Sequence, residues 1–189
     1  MTYYDEPANV EHYVKISEGY DGQLLISVLN NHLPDGSSVL ELGMGEGKDL
    51  KLLERQYQVT GSDASATFIN RYLQQNPTAD ILHLDANTLQ TDRQFNALYS
   101  NKVLHHLSPE QLVASFQHQA LRLFAKGLTL HSFWLGDGAD EFAGETLYYY
   151  QPDTIIKLLS PNFEVLEWKT YDESEPDDSF YVLSQKREN

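Results

Sequence analysis

The stretch ELGMGEG, residues 41–47, sets Gly43, Gly45 and Gly47 at alternate positions after an apolar run ending in Val39 and Leu40. Glycines spaced this way after a first strand let backbone pass close beneath a ligand. The dinucleotide pattern G-x-G-x-x-G sets its third glycine one residue later than Gly47. Glu41, at the strand end beside the loop, would repel a pyrophosphate at short range. A carboxylate there suits a ligand that carries positive charge. A tight strand-to-helix turn with no ligand is the competing reading. Other polar groups follow later strands: Asp63 in TGSDAS, Asp85 in LHLDAN and Asn101 in SNKV. Each also has an ordinary use, as a helix cap, a loop-start carboxylate or a strand-end hydrogen-bonding group. Three histidines can exchange protons near neutral pH: His105, His106 and His131. Cysteine is absent, so no thiolate nucleophile or thiolate metal site is available.

The elements that must position these groups alternate in type. Residues 10–32 carry Val10, Tyr13, Val14, Leu24, Leu25, Val28 and Leu29 at helical spacing, broken near Gly19–Gly22. Strands are predicted at 38–42, 58–63, 80–85, 95–101 and 127–134. Helices are predicted between them at 46–56, 65–76 and from Pro109 onward. Ser108, Pro109 and Gln111 form a capping-box start for that last helix, with an apolar face running from Leu112 and Val113 to Leu121 and Phe124. A helix at 152–160 precedes strands at 163–171 and 179–186. The turn DESEPDD between those two is too short for a crossover, so they run antiparallel. The prediction is an α/β fold: a doubly wound, mostly parallel seven-stranded sheet with one antiparallel strand, Rossmann-like. One compact unit is expected, with a helical lid segment at 1–36 before the ligand-binding domain at 37–189.

Taken in order, VLELGMGEG, TGSDAS, LHLDAN and SNKVLHHL resemble the motifs of the class I S-adenosylmethionine-dependent methyltransferases, over roughly residues 37–186. The resemblance implies methyl transfer from S-adenosylmethionine, leaving S-adenosylhomocysteine. It places Glu41, Gly43, Gly45 and Asn101 at the methionine end, Asp63 and Ala64 at the ribose, and Asp85, Ala86 and Asn87 at the adenine. Methyl transfer is an in-line displacement that needs alignment, water exclusion and, for some acceptors, a base. His105 and His106 are the candidate bases, with loop packing as the plain alternative. His131, inside a strand, reads as a core histidine. Tyr13, Tyr20, Trp134, Tyr148 and Tyr149 are candidates to enclose the acceptor, against the plain reading of surface and core aromatics. Lys48 reads as a solvated helix residue.

The net charge of −15 disfavours nucleic acid and anionic membranes. The strand-four motif SNKV also lacks the Asn/Asp-Pro-Pro-aromatic sequence of many nucleobase methyltransferases. The expected acceptor is therefore a small molecule. No metal is expected: the histidines lack ligand spacing, and Asp137, Asp140 and Glu141 read as a solvated loop. No apolar run approaches a membrane span, and the start MTYYDEPANVEHY is unlike a signal peptide, so a cytoplasmic location is expected. Nothing in the pattern speaks to oligomeric state. Two alternatives compete: a nucleotide- or NAD-dependent oxidoreductase, and a non-catalytic S-adenosylmethionine-binding module.

Overall fold

The computed structural model describes residues 3–17, 19–142 and 144–188, with nothing said of the side chains of Asp5 and Ile16. Helices α1 (Pro7–Ile16) and α2 (Gln23–Asn30) come first, separated near Gly19–Gly22 as the sequence predicts. Then follow β1 (Ser38–Leu42), α3 (Lys48–Leu53), β2 (Gln58–Asp63), α4 (Ala66–Gln75), β3 (Ile81–His83) and β4 (Phe95–Ser100). After α5 (Pro109–Leu121) come β5 (Leu123–Trp134), a hairpin of β6 (Ala139–Phe142) and β7 (Glu145–Tyr148), α6 (Pro152–Leu159), β8 (Phe163–Tyr171) and β9 (Ser179–Lys186).

Seven strands form one sheet in the order β3-β2-β1-β4-β5-β9-β8. Pairs β1–β2, β1–β4, β2–β3 and β4–β5 are parallel, while β9 runs antiparallel to both β5 and β8. Both faces are covered, which is why apolar Val39, Leu40 and Leu42 of SVLEL are all buried. Leu40, Leu42 and Leu98 join the core under α5 and α6 with Phe116, Phe133 and Ile155. Val39, Ala97 and Tyr99 join the core under α2 with Leu25, Leu29 and Leu53. Each large side chain so buried contributes roughly 1.5–3 kcal/mol. Strand order reverses between β1 and β4. The carboxyl ends of those two strands therefore flank a crevice, where ligands of such sheets bind.

Two sequence expectations change. The loop expected around Asp137, Asp140 and Glu141 folds in part into the hairpin, with Ala139 opposite Tyr148 and Phe142 opposite Glu145. β5 also starts earlier than expected, at Leu123, so Phe124 leaves the α5 face. Val113, Leu121 and Phe124 are exposed. The helix buries Leu112, Ser115, Phe116 and Gln119 instead, because two polar residues on that face hydrogen-bond inward.

Candidate functional site

The glycine loop turns sharply at the end of β1. Gly43, Gly45 and Gly47 all hold left-handed backbone, with φ of 66°, 51° and 74°. A Cβ on Gly43 would lie 2.5 Å from a Val103 methyl carbon, so the loop packs directly against the segment after β4. A Cβ on Gly45 would meet nothing nearer than the Tyr13 ring at 4.0 Å. That open side faces two adjoining cavities, of about 350 Å³ and 250 Å³. Gly43, Gly45, Tyr13, Asn101 and Lys102 line both, so the two are halves of one cleft.

The smaller half lies over the ends of β2 and β3. Asp63, Ala64, Asp85 and Ala86 line it, with Phe68 and Tyr4. Asp63 is buried; its Oδ2 accepts from Gly45 N–H at 2.9 Å and its Oδ1 from Ser65 N–H at 2.8 Å. Burial raises the Asp63 carboxyl above its usual range, and backbone N–H bonds from Ser65, Gly45 and Ala64 oppose that shift. The Ala64 carbonyl accepts from His83 Nε2 at 2.8 Å. Asp85 is exposed and accepts from Asn87 N–H at 2.6 Å.

The larger half lies beside α3 and the end of β5. Glu41 is buried there, and its Oε2 has no hydrogen-bond partner. Burial raises its carboxyl well above the ordinary value, and the neighbouring carboxylates Asp49 and Asp63 add to that. A buried, unpartnered carboxyl oxygen beside two further acids fits a bound cation. Asp49 is a residue that sequence reasoning missed. Its carboxylate accepts from Gly22 N–H at 2.6 Å, Tyr99 Oη–H at 2.7 Å and Asn101 Nδ2–H at 3.1 Å. The available signal was an acid in the first turn of a helix directly after the glycine loop. Asn101 Oδ1 accepts from the Ser132 hydroxyl at 2.7 Å, so the post-β4 turn is held from both sides.

The remaining expected residues separate. Tyr13 lines both halves; Tyr20 and Trp134 line the larger one. Lys48 is not simply solvated: Nζ donates to the Ser17 carbonyl at 2.7 Å and ties the end of α1 to α3. Asn87 lines neither half, because it turns toward α5, where its carbonyl accepts from His118 Nδ1 at 2.8 Å. His105 is buried and lines neither half; His106 lines only the smaller one, packed edge-on to Tyr4 at 5.8 Å. The 3₁₀ turn Leu104–His106 directs both rings away from the larger half, and burial lowers both imidazole pKa values. Tyr148 and Tyr149 also line neither half. Hairpin pairing stacks Tyr148 on Tyr150 and sets Tyr149 against Gly136. Glu145 reaches the cleft in their place and accepts from Tyr3 N–H at 2.7 Å.

His131 is a core residue, as expected. Its Nε2 donates to Gln119 Oε1 and its Nδ1 accepts from the Ser100 hydroxyl, both at 2.8 Å. Gln119 Nε2 donates to the Ser115 hydroxyl, which donates to the Ala86 carbonyl at 2.6 Å. This buried chain connects the end of β4 to the wall of the smaller half. Among the described residues no three His, Asp or Glu side chains are grouped to hold a metal. No helix among them is long and apolar enough to cross a membrane.

Known proteins give the same frame. Residues 39–127 match the family described as methyltransferase domain. No curated protein matches the chain significantly. Among solved structures, the N-methyltransferase NodS from Bradyrhizobium japonicum, in complex with S-adenosylhomocysteine, superposes with a TM-score of 0.78 at 15% identity over 100% of both chains. The 1,6-didemethyltoxoflavin-N1-methyltransferase of Burkholderia thailandensis gives 0.74 at 18% identity, covering 100% of this chain and 92% of its own. A methyltransferase from Methanosarcina mazei gives 0.74 at 17% identity, over 84% of this chain and 96% of its own. At such identities the likeness is one of fold. The family match at residues 39–127 falls on the part of the chain that carries the acid-and-glycine cleft at the switch point, and the whole chain shares the fold of S-adenosylmethionine-dependent methyltransferases.

Proposed function

We propose that the protein transfers a methyl group from S-adenosylmethionine to a small-molecule acceptor by in-line displacement. S-adenosylmethionine is a substrate here, and it brings an already activated methyl carbon. The observation that carries the reading is the unpartnered Glu41 oxygen, buried beneath an open glycine loop and flanked by Asp49 and Asp63. A site rich in carboxylates fits a donor with an ammonium and a sulfonium; it repels the pyrophosphate of NAD. In this reading Glu41, Gly43, Gly45 and Asn101 hold the methionine part. The Asp63 carboxylate accepts from the ribose hydroxyls beside Ala64. Asp85 and Ala86 flank the adenine.

The acceptor enters the larger half, between Tyr13, Tyr20 and Trp134. The rim there carries Asp21, Glu46 and Glu173, which favours a neutral or cationic molecule over an anion. Segment 1–36 serves as the lid. It is fastened by the Lys48–Ser17 bond, by Gly22 on Asp49, and by the Ser65 hydroxyl donating to the Tyr4 carbonyl at 2.6 Å. No connection between the described elements is long enough to form a separate substrate domain, so lid and β8–β9 turn shape the acceptor site.

Calorimetry tests the reading directly. S-adenosylmethionine and S-adenosylhomocysteine should both bind, and Asp63→Ala should weaken binding at least tenfold, since it removes an acceptor of charge-assisted quality. Absence of heat and of thermal shift at millimolar ligand would refute the function. Unchanged affinity in Asp63→Ala would refute the ribose placement.

A further inference from the structure

Lys102 lies directly after β4, at the strand-order switch. It is one of the few residues that line both halves of the cleft. Its backbone is left-handed, with φ of 52°, which is uncommon for a residue with a side chain. The Lys102 N–H donates to the Ser132 hydroxyl at 2.9 Å and holds that turn. The consequence is that the lysine side chain runs into the cleft rather than into solvent; it is only 11% exposed. Backbone strain of this kind persists where the surroundings enforce it, often at functional sites.

Its amine is set among groups that accommodate both protonation states. Nζ donates to the Ser179 hydroxyl at 2.6 Å and lies 3.5 Å from Glu173 Oε2. It sits 3.3 Å from the centre of the Trp134 ring and 5.4 Å from that of Tyr171. The ammonium form is supported by Glu173 and by the Trp134 face. Burial favours the neutral amine and pushes Lys102 down to about 8, against the pull of Glu173 and Asp178. The other titratable groups facing it are Tyr171 from β8 and His105 from the 3₁₀ turn. An anion-anchoring role fits poorly, because Glu173 already occupies the lysine and the nearby rim is acidic.

Resting on the methyl-transfer reading above, we infer that Lys102 is the catalytic base that takes the acceptor's proton. The acceptor's N–H or O–H bond breaks and leaves its electron pair on that atom. The pair forms the new bond to the methyl carbon, and the carbon–sulfur bond breaks with its pair going to sulfur. The proton ends on Nζ, where the resulting ammonium faces Glu173, Ser179 and the Trp134 ring. The candidate histidines give way to this lysine, since neither lines the larger half of the cleft. The β8–β9 turn gains a purpose too, since it supplies Glu173.

A base of this kind must lose its own proton when the cationic donor enters the shared junction. Binding of S-adenosylmethionine should therefore release up to roughly half a proton at pH 8, where a group titrating near that pH is half protonated. Calorimetry in buffers of different ionisation enthalpy reads that number. Release should be smaller for S-adenosylhomocysteine, which lacks the sulfonium charge. It should vanish in Lys102→Arg, which keeps a charge beside Glu173, and in Lys102→Met, with both variants still binding S-adenosylhomocysteine. Equal release in the wild type and both variants overturns the inference, as does equal release with the two ligands. A wild type that binds neither ligand refutes the methyltransferase reading itself. Nζ–Cε NMR of the lysine-labelled wild type is a second arm that needs no variant. One lysine should titrate near 8 and move lower when S-adenosylmethionine is added. All lysines titrating near the ordinary value of about 10.4 overturns the assignment.

Discussion

Asp63 and Lys102 line the same cleft, and their supports differ in kind. Asp63 ends a central parallel strand, and its partners Gly45 and Ser65 lie within the adjacent strand-to-helix turns. The smaller half is thus built by the sheet itself. Lys102 depends on Ser132 of β5, Ser179 of β9, Glu173 of the acidic turn and Trp134. The larger half is assembled from segments far apart in sequence, with Tyr13 and Tyr20 of the N-terminal segment lining it. A site made by strand ends can keep one geometry while its rim is rebuilt for a different acceptor.

Asp49 is where the two halves are joined, and its loss should have the largest effect. Asp49→Ala leaves Gly22 N–H and the buried Tyr99 hydroxyl without their acceptor. That should cost roughly 2–4 kcal/mol, read as a lower denaturant midpoint with an unchanged slope. If both halves survive with full stability, α2 and the post-β4 turn are not held through this carboxylate.

The polar chain through His131 comes next. Burial holds this imidazole down at about 3, against about 6.5 when unfolded. Its folded-state value is depressed, so the unfolded chain binds the extra proton. Stability through this residue is complete above pH 6.5 and falls as pH drops toward 3, by at most about 1.4 kcal/mol per pH unit. Glu41 and Asp63 have raised values and act in the opposite sense, becoming less unfavourable when protonated. The diagnostic is thus the difference between wild type and His131→Asn in urea melts at pH 7 and pH 5. The variant should start less stable and lose less on acidification. Parallel losses would mean that His131 is not held neutral.

The smallest effect belongs to the rim. Tyr20→Phe removes only an exposed hydroxyl contact with Ser174 Oγ at 3.2 Å. Stability should change by less than about 0.5 kcal/mol, and S-adenosylhomocysteine affinity should stay the same. A large change in either would move Tyr20 from the acceptor rim into the framework.

The same contrast explains what was legible in the sequence. The strand–helix alternation, the reversed last strand, Glu41, the glycines, Asp63 and Asp85 are all local signals. Each is a residue type at a strand end, and strand ends follow from short apolar runs. Asp49 was not legible because its partners Gly22, Tyr99 and Asn101 converge only in three dimensions. Lys102 was hidden for the same reason: nothing in SNKV shows a left-handed turn or a tryptophan 3.3 Å away. His105 and His106 have the right chemistry, yet one 3₁₀ turn points them elsewhere. Tyr148 and Tyr149 were drawn to the acceptor by composition alone, and the hairpin pairing takes them out of reach.

The most direct test of this division compares S-adenosylhomocysteine affinity in Asp63→Asn and Lys102→Met against wild type. The account predicts a loss of at least tenfold for Asp63→Asn, since a ribose-holding carboxylate is removed, and less than about threefold for Lys102→Met. A Lys102→Met loss equal to or larger than that of Asp63→Asn would contradict the proposed division of roles between the two residues.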